Sequence, residues 1–286
     1  MLKTILVHLR GTSGDVSTLA VAHALGQPFA AHLEALYIRR DIGSLVARAR
    51  LAGDSQDPGA IAQAVEELQN QSAQEAAKAA GSYAAFCLTS DTAGAGLPAG
   101  PKMSNAFREA SGDEVGELIK QSRGHDLLVV KGGLESAGGL SSGELSKVIT
   151  SAGRPVVLAP NTARPIKTVV IAWKEVLQAA RAVTAAMPVL ETAEKVYVLN
   201  AEEEGQQADC ELVVSQLHWH GVNAESQRVD TGDRDTGHAI LEMTRAAAAD
   251  LLVMGAYGHS RLTETILGGF TKSVLEDASL PVFLMH

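Results

Sequence analysis

Two stretches of sequence, Lys3-Thr-Ile-Leu-Val-His-Leu9 and Lys167-Thr-Val-Val-Ile-Ala-Trp173, begin two parts of the chain that resemble each other. Both stretches are short, rich in β-branched residues and apolar on both faces. Strands that are covered by helices on both sides of a parallel sheet have this composition. Each stretch therefore predicts a buried parallel strand.

Two further apolar segments recur in the same order, which makes the chain an internal repeat. Residues 126–130 match residues 250–254, and residues 154–160 match residues 280–286. The length of 286 residues is also that of two domains of average size. The predicted domains are residues 1–160 and 165–286, joined by a linker at residues 161–165.

Helical patterns alternate with the strands. In the second half the sequence predicts strands at 195–200 and 224–229, and helices at 176–190, 209–220, 236–248 and 271–278. Such alternation predicts βαβ units and a parallel sheet. Each half is thus predicted to be a doubly wound, Rossmann-like α/β domain with a five-stranded parallel sheet.

The first half carries an insertion. The distance from the first recurring segment to the second is 123 positions there and 83 in the second half, a difference of 40 residues. These residues fall within about 41–105, where residues 58–86 have apolar side chains at helical spacing and residues 90–101 are rich in Gly, Pro and Ala. We expect a long inserted helix and a loop, and the sequence leaves open whether they cover a site or an interface.

Composition and charge narrow the class of protein. The formal net charge is -9, and hydrophobic residues make up 46% of the chain. A general nucleic-acid binder needs a basic face, so the negative net charge argues against that function. The two cysteines, Cys87 and Cys210, lie in different halves without a metal-ligand spacing, and no apolar run is long enough for a membrane span. We therefore expect a cytoplasmic protein with neither nucleic acid nor membrane as a partner.

The candidate site is the segment after the predicted fourth strand of the second half, Met254-Gly-Ala-Tyr-Gly-His-Ser-Arg-Leu-Thr-Glu-Thr-Ile-Leu-Gly-Gly-Phe-Thr-Lys272. Parallel sheets bind ligands beyond the carboxyl ends of their strands. Gly255 and Gly258 would let the backbone approach an anion closely. Gly268 and Gly269 precede a predicted helix, whose free N–H groups favour a phosphate.

Three other residues of this segment could assist. Thr271 offers a hydroxyl, and Arg261 and Lys272 supply positive charge. From the spacing alone, ordinary turn and helix-cap chemistry remains the alternative. The chain lacks both the P-loop pattern and a GxGxxG motif after its first strand, so neither of those nucleotide folds is indicated.

The same segment resembles the nucleotide loop of the universal stress protein family. That loop has two glycines separated by two residues, then nine residues and a third glycine, and Gly255, Gly258 and Gly268 match this spacing. The run Gly-Ala-Tyr-Gly-His-Ser-Arg-Leu resembles tandem bacterial members, as does Ala172-Trp173 followed by Ala179-Ala-Arg-Ala-Val183. The resemblance covers nearly all of the second half, whereas the first half shares only the strand pattern and the ending.

The resemblance implies two adenine nucleotide alpha hydrolase-like domains, of which the second binds ATP or ADP, with or without Mg²⁺, in a stress-response sensor or regulator. Trp173 would pack near the adenine. The residues implied at the ligand are Trp173, Met254, Gly255, Gly258, Arg261, Gly268, Gly269, Thr271 and Lys272.

Members of the family commonly dimerise through the last strand. In a tandem chain this implies an internal pair of domains, with residues 156–158 meeting residues 282–284, and a further homodimer is left open. Such pairing would hide edges that otherwise invite aggregation.

The sequence departs from the family pattern at several positions. Arg10 and Lys174 stand where nucleotide binders usually carry an acidic residue, and Gly269 replaces the usual Ser or Thr. In the first half, Lys131 and Leu134 replace the first two loop glycines, which indicates a degenerate site. A nucleotide-free scaffold or interaction module is therefore the main alternative, and a weak ATPase is a third. No catalytic signature favours a dedicated enzyme.

Two other motifs suggest metals. His218 and His220 are two apart and would not share a helix face, so a metal site there is disfavoured. Residues 230–235, Asp-Thr-Gly-Asp-Arg-Asp, could hold Mg²⁺ beside phosphates. A polar turn that caps the helix at Thr236 is the preferred interpretation of that segment.

Overall fold

The computed structural model of the chain describes residues 1–43, 58–93, 102–133, 138–201, 210–231, 235–256 and 269–286. The strands of the first half are β1 (Thr4–Leu9), β2 (His32–Arg40), β3 (Ser104–Gly112), β4 (Leu127–Lys131) and β5 (Val156–Ala159). The helices of that half are α1 (Gly14–Gly26), α2 (Pro58–Thr89), α3 (Glu114–Ser122) and α4 (Ser142–Ser151), with a 3-10 helix at Gln27–Phe29.

The second half repeats this alternation. Its strands are β6 (Thr168–Trp173), β7 (Lys195–Ala201), β8 (Ala224–Val229), β9 (Leu251–Gly255) and β10 (Val282–Met285). Its helices are α5 (Leu177–Thr192), α6 (Glu211–Trp219), α7 (Thr236–Ala246) and α8 (Gly269–Asp277). The four helices predicted in this half are present, and their ends differ from the prediction by no more than two residues.

All of these strands form one sheet, in the order β3-β2-β1-β4-β5-β10-β9-β6-β7-β8. Neighbours within each half are parallel, which confirms the predicted doubly wound α/β class. The halves join where β5 and β10 pair antiparallel, with Val157 opposite Phe283. This pairing unites the two segments that the sequence predicted to meet. Because the strand direction reverses at the junction, the carboxyl ends of the two sets of strands lie on opposite edges of the sheet.

The alternation of side chains along the strands fills two cores, one on each face of the sheet. Val7 and Val129 contribute to one core, with α1, α2, α5 and α6 above it. Leu6 and Leu128 contribute to the other, which α3, α4, α7 and α8 cover. Helices on both faces explain why the strands are apolar at nearly every position.

The inserted helix is present as α2 and ends three residues beyond the prediction, at Thr89. The loop predicted at residues 90–101 falls mostly outside the described residues. Residues 161–167 contain neither helix nor strand and connect β5 to β6, where the linker was expected. Of the helices in the described part of the chain, none combines the length and apolar character needed to cross a membrane.

Candidate functional site

The segment of chain that contains the predicted glycine loop leaves the sheet where the strand order of the second half reverses. β6 and β9 are neighbours there, with Ala172 in register with Met254, although β7 and β8 separate them in the chain. The loop leaves β9 at Gly255, and the chain resumes in α8 at Gly269. Crevices at such reversals are the usual ligand sites of open α/β sheets. The predicted contacts Gly258, Arg261 and Gly268 lie outside the described residues.

Trp173 ends β6 beside this crevice. Its half-buried ring packs against the core that α5 and α6 cover. The indole Nε1 atom is buried and has no hydrogen-bond partner among the described residues. An unpaired buried donor costs about 1–3 kcal/mol, so this N–H is a candidate contact for a bound acceptor.

Gly255 allows helix α5 to pack closely against the end of strand β9. A Cβ atom on Gly255 would lie 2.6 Å from the carbonyl carbon of Gln178 and 2.6 Å from the backbone nitrogen of Ala179. No side chain fits at that distance from backbone atoms. Gly255 thereby lets the first turn of α5 approach the carboxyl end of β9.

Two of the predicted contacts, Met254 and Thr271, occupy less open positions than the sequence suggested. Met254 is 1% exposed and lies in the core beneath α7 and α8. Thr271, in the first turn of α8, is 6% exposed. Gly269 begins α8, and the helix includes Lys272, whose side chain is not among the described features.

The corresponding edge of the first half is filled by a charged cluster of His8, Arg10 and Glu114. Arg10 Nε lies 2.7 Å from Glu114 Oε1, and its second terminal nitrogen donates to Glu114 Oε2 at 3.0 Å. His8 Nε2 lies 3.3 Å from the same Oε1 atom. Burial alone would raise the pKa of Glu114, but His8 and Arg10 outweigh it and lower the pKa to about 2. The carboxylate therefore stays ionised and holds Arg10 in place.

Arg10 also forms a hydrogen bond with the loop that follows β4. Its first terminal nitrogen donates to the carbonyl oxygen of Gly139. Next to it, a Cβ atom on Gly138 would lie 2.2 Å from Thr12 Oγ1, at a backbone φ of +100° that favours glycine. Gly138 and Gly139 belong to the counterpart of the glycine loop, and they lie against the end of β1.

Lys131 and Asp15 fill the rest of this edge. The Lys131 ammonium donates to the carbonyl oxygens of Gly132 and Ala159, both at 3.1 Å, and burial lowers the pKa of Lys131. Asp15 accepts hydrogen bonds from the backbone nitrogens of Arg10 at 3.0 Å and Gly11 at 2.9 Å. Burial raises the pKa of Asp15, although these bonds oppose the shift.

The insertion covers the same edge. A Cβ atom on Gly11 would lie 2.1 Å from the carbonyl oxygen of Glu75 in α2, at a φ of +72°. Further along the helix, the Tyr37 hydroxyl donates to the carbonyl oxygen of Ser72 at 3.2 Å. The sequence left open whether the inserted helix covers a site or an interface. These contacts show that α2 lies over the end of β1.

The second half has a smaller, uncharged residue at two positions of the cluster and a lysine at the third. The register of β1 with β4 and of β6 with β9 aligns the two halves. The aligned pairs are His8 with Ala172, Arg10 with Lys174, and Glu114 with Thr236. The sequence analysis did not identify this cluster. The available signal was the difference between His8 and Ala172, which occupy equivalent positions in β1 and β6.

Neither metal hypothesis finds support in the described residues. His218 Nε2 contacts the carbonyl oxygen of Ala224, whereas His220 Nδ1 contacts Glu191, so the two rings face different partners. Asp235 caps α7 by accepting from the backbone nitrogens of Gly237 and His238, as the preferred interpretation predicted. No group of three or more His, Cys, Asp or Glu side chains that could hold a metal occurs in the described ranges.

The fold and the two unequal edges define a class of protein: a tandem α/β protein with adenine nucleotide alpha hydrolase-like domains. Residues 176–286 match the model of the universal stress protein family, which identifies the second half as a universal stress protein domain. The tandem arrangement is consistent with two such folds across the chain. No curated protein sequence matches the chain.

Solved structures agree on the fold. A universal stress protein from Archaeoglobus fulgidus DSM 4304 is similar over 99% of this chain and 97% of its own, with a TM-score of 0.66 and 17% identity. A functionally unknown protein from Pseudomonas aeruginosa PAO1 is similar over 99% and 92%, with a TM-score of 0.54 and 15% identity. A universal stress protein in complex with cAMP covers 42% of this chain and 97% of its own, at 19% identity and a TM-score of 0.33. That last similarity carries no argument about the ligand of the present chain.

Proposed function

We propose that the chain binds an adenine nucleotide, ATP or ADP, at the glycine loop of its second half and acts as a nucleotide-dependent sensor or regulator in a stress response. The observation that carries the proposal is the position of the loop, which leaves β9 beside β6 at the reversal of strand order. This is where an open parallel sheet binds its ligands. The buried indole N–H of Trp173, at the end of β6, supports the proposal because it has no acceptor among the residues that the structure describes.

The contrast between the halves also supports binding in the second half. At the first edge Arg10 is paired with Glu114 and its side chain also reaches the loop that follows β4, so both groups are already engaged. Ala172 and Thr236, at equivalent positions of the second half, are small and cannot form such ion pairs. An intact glycine loop beside small residues is suited to a phosphate-bearing ligand. Mg²⁺ would accompany the phosphates of the nucleotide, since this cation is commonly bound in part by substrate phosphates.

The test begins with protein purified without added nucleotide. Denaturation and chromatography of the released small molecules will show whether a nucleotide is carried through purification. ATP is then titrated while the melting temperature is followed, since a ligand specific for the native state stabilises it by about 2.7 kcal/mol at one hundred times its Kd. No released nucleotide and no shift at millimolar ATP would falsify the proposal.

Gly258→Leu introduces the residue type that Leu134 supplies in the first half and is expected to abolish the shift. Gly143→Leu is the matched control, because Gly143 lies at the start of α4, where a Cβ atom would meet nothing within 4 Å. The control is expected to melt and bind as the wild type does. Retention of the shift in Gly258→Leu would place the ligand elsewhere.

A nucleotide-free scaffold is the second candidate function. The observations in its favour are the close packing of Gly255 against Gln178 and the burial of Thr271, since both give these residues a structural role. Under this alternative, ATP changes the melting temperature of neither the wild type nor Gly258→Leu. Free phosphate released during incubation with ATP and Mg²⁺ would instead favour a weak ATPase.

A further inference from the structure

A cavity of about 170 Å³ lies at the edge where the strands of the second half begin, between the linker and the ends of α7 and α8. Drug-sized ligands usually occupy about 300–1,000 Å³, so this cavity suits a smaller molecule. Its polar lining residues include Thr162, Arg164, Arg245, Asp250 and Ser279. None of these belongs to the glycine loop, which leaves the opposite end of β9.

The two halves share one part of the frame around this place. In the first half, Arg123 donates to the carbonyl oxygen of Ser151, the last residue of α4, at 3.2 Å. In the second half, Arg245 donates to the carbonyl oxygen of Asp277, the last residue of α8, at 3.1 Å. Each arginine joins the ends of two neighbouring helices, so the two arginines occupy equivalent places.

An aspartate also occupies the same place in both halves. Asp126 accepts hydrogen bonds from the backbone nitrogens of residues 3–4, at 2.8 and 3.0 Å, and Asp250 accepts them from residues 167–168, both at 3.0 Å. The bonds to Asp250 end on its Oδ2 atom. The Oδ1 atom of this carboxylate has no hydrogen-bond partner within the part of the chain that the structure describes, so it can accept from a ligand.

The halves differ in the side chain that enters this frame. In the first half, Arg154 donates to the carbonyl oxygen of Arg123 at 3.2 Å. Burial alone would raise the pKa of Asp126, but hydrogen bonds from residues 3–4 and the charge of Arg154 lower it. The guanidinium of Arg154 is thus close to both the carbonyl oxygen and the aspartate. Leu280 stands at the same position of the repeat and carries no such group.

The second half therefore keeps the acceptors for a guanidinium group but has no side chain of its repeat to fill them. The carbonyl oxygen of Arg245 and the carboxylate of Asp250 correspond to the two groups that Arg154 approaches in the first half. A planar guanidinium with its five donors matches such acceptors better than a compact ammonium does. Leu280 lines the same cavity and can pack against an aliphatic stem.

Arg164 adds a positive charge to this cavity. It belongs to the linker, and its side chain is exposed. A guanidinium there would repel a ligand that is only cationic, whereas it pairs with a carboxylate through two parallel hydrogen bonds. The hydroxyls of Thr162 and Ser279 are further donors in the lining. The cavity therefore fits a ligand with a guanidinium at one end and a carboxylate at the other.

We infer that the cavity binds a small basic amino acid of the arginine type, whose guanidinium occupies the place of the Arg154 side chain and whose carboxylate pairs with Arg164. The inference goes beyond nucleotide binding and does not depend on it, because the cavity and the glycine loop lie at opposite ends of the strands. Since charge pairs open to solvent are individually weak, a Kd on the order of 1 mM is expected.

The test is calorimetric titration of the full chain, without nucleotide and at constant ionic strength, with three compounds. Arginine carries both groups, agmatine lacks the carboxylate, and norvaline lacks the guanidinium. Arginine is expected to bind about two- to fivefold more tightly than agmatine, which loses the contact to Arg164. Norvaline is expected to show no saturable binding.

Three variants locate the ligand. Arg164→Ala is expected to remove the preference for arginine over agmatine, because it deletes the partner of the carboxylate. Leu280→Arg gives the second half the residue that the first half has and is expected to abolish binding without lowering the melting temperature. Leu212→Arg is the matched control, since it adds the same group on α6, where Leu212 is 75% exposed. It is expected to bind arginine as the wild type does.

The inference is overturned if the wild type shows no saturable binding of arginine, if binding survives in Leu280→Arg, or if arginine and agmatine bind equally well. An equal loss in Leu280→Arg and Leu212→Arg would also overturn it, because that result would reflect added charge alone. If Leu280→Arg fails to fold, Arg164→Ala decides the question, since its substitution is at an exposed position. No titration contains ATP, so the outcome is separate from that of the proposed function.

Discussion

Gly255 and Gln178 approach so closely that a Cβ atom on the glycine would lie 2.6 Å from the carbonyl carbon of Gln178. At the matching place in the first half, the glycine is on the helix instead of the strand: Gly14 begins α1 and Lys131 ends β4. A Cβ atom on Gly14 would lie 2.6 Å from Cδ of Lys131. One partner in each pair is a glycine, because the helix and the strand are too close to accommodate two side chains.

This relationship predicts the effect of exchanging the pair. Gly255→Lys alone is expected to lower the free energy of unfolding by about 1–3 kcal/mol, because the new side chain meets backbone atoms of α5. Adding Gln178→Gly is expected to recover part of the loss, with a coupling of at least about 0.5 kcal/mol. Urea unfolding of the four proteins of the cycle measures both quantities. Additive effects of the two substitutions would contradict the prediction.

The control for this cycle is Gly81→Lys. Gly81 lies in α2, and a Cβ atom there would meet nothing within 4 Å. Its replacement is expected to change stability by no more than about 1 kcal/mol, in the stabilising direction, since glycine is a poor helix former.

Glu114 is expected to govern the acid stability of the first half. Its pKa is about 2 in the folded protein, below the ordinary value of 4.5, so the folded state binds fewer protons than the unfolded chain. The resulting stability, on the order of 3 kcal/mol, is present above the unfolded pKa and is lost as the pH falls from about 5 to about 2. Glu114→Gln is expected to show this loss already at pH 7.

The measurement is urea unfolding at several pH values between 7 and 2. The difference between wild type and Glu114→Gln should shrink as the pH falls, because protonation makes the two side chains alike. Asp15 titrates with the opposite sign, since burial raises its pKa, but it is common to both proteins. A difference that stays constant with pH would show that Glu114 contributes through packing alone.

The side chain of Phe283 is expected to contribute strongly to the stability of the junction between the two halves. It lies opposite Val157 in the β5–β10 pair and is 2% exposed. Phe283→Ala is expected to cost about 3–5 kcal/mol, as truncation of a buried aromatic ring does. Phe107→Ala on the outer strand β3 is the control and should cost less, because Phe107 is only partly buried. Equal losses in the two variants would speak against a core shared at the junction.

Nucleotide is expected to bind with a stoichiometry of one per chain. Arg10 pairs with Glu114 and Lys131 donates to the carbonyl oxygens of Gly132 and Ala159, so these side chains fill the carboxyl edge of the first half. Isothermal titration calorimetry with ATP measures the stoichiometry directly. Two equivalent sites per chain would be incompatible with this filled edge.

The two tryptophans are expected to respond differently to nucleotide. Trp173 lies at the end of β6 with a buried indole N–H, whereas Trp219 is 88% exposed at the end of α6. In Trp219→Phe, the remaining tryptophan emission should change on addition of ATP, because the indole gains an acceptor and a stacked ring. The converse variant, Trp173→Phe, should report no change, and a response from Trp219 alone would move the site away from β6.

Much of the fold could be predicted from local sequence. The strands are apolar on both faces and recur in order, so the parallel class and the helix positions followed from pattern alone, whereas the β5–β10 junction was an expectation from the family resemblance. Asp235 also behaves as its position before a helix predicts. These features depend on neighbouring residues or on period, both of which are visible in a linear chain.

The candidate site was less predictable. The place of the loop beyond β9 followed from the strand pattern, but the burial of Met254 and Thr271 did not. Burial depends on which helices cover a position, and that is decided by packing between distant segments. The predicted contacts Gly258, Arg261 and Gly268 remain predictions.

The order of residues along the chain is enough to predict a tandem of two parallel α/β halves, of which only one has an intact glycine loop. The side chains that fill the equivalent edge of the other half became apparent only in three dimensions. Arg10 meets Glu114 across 104 positions of sequence, and Lys131 lies against Gly14 on a different element. Contacts of this kind follow from the register of strands and the approach of helices, because charge and volume must balance in space and not along the chain.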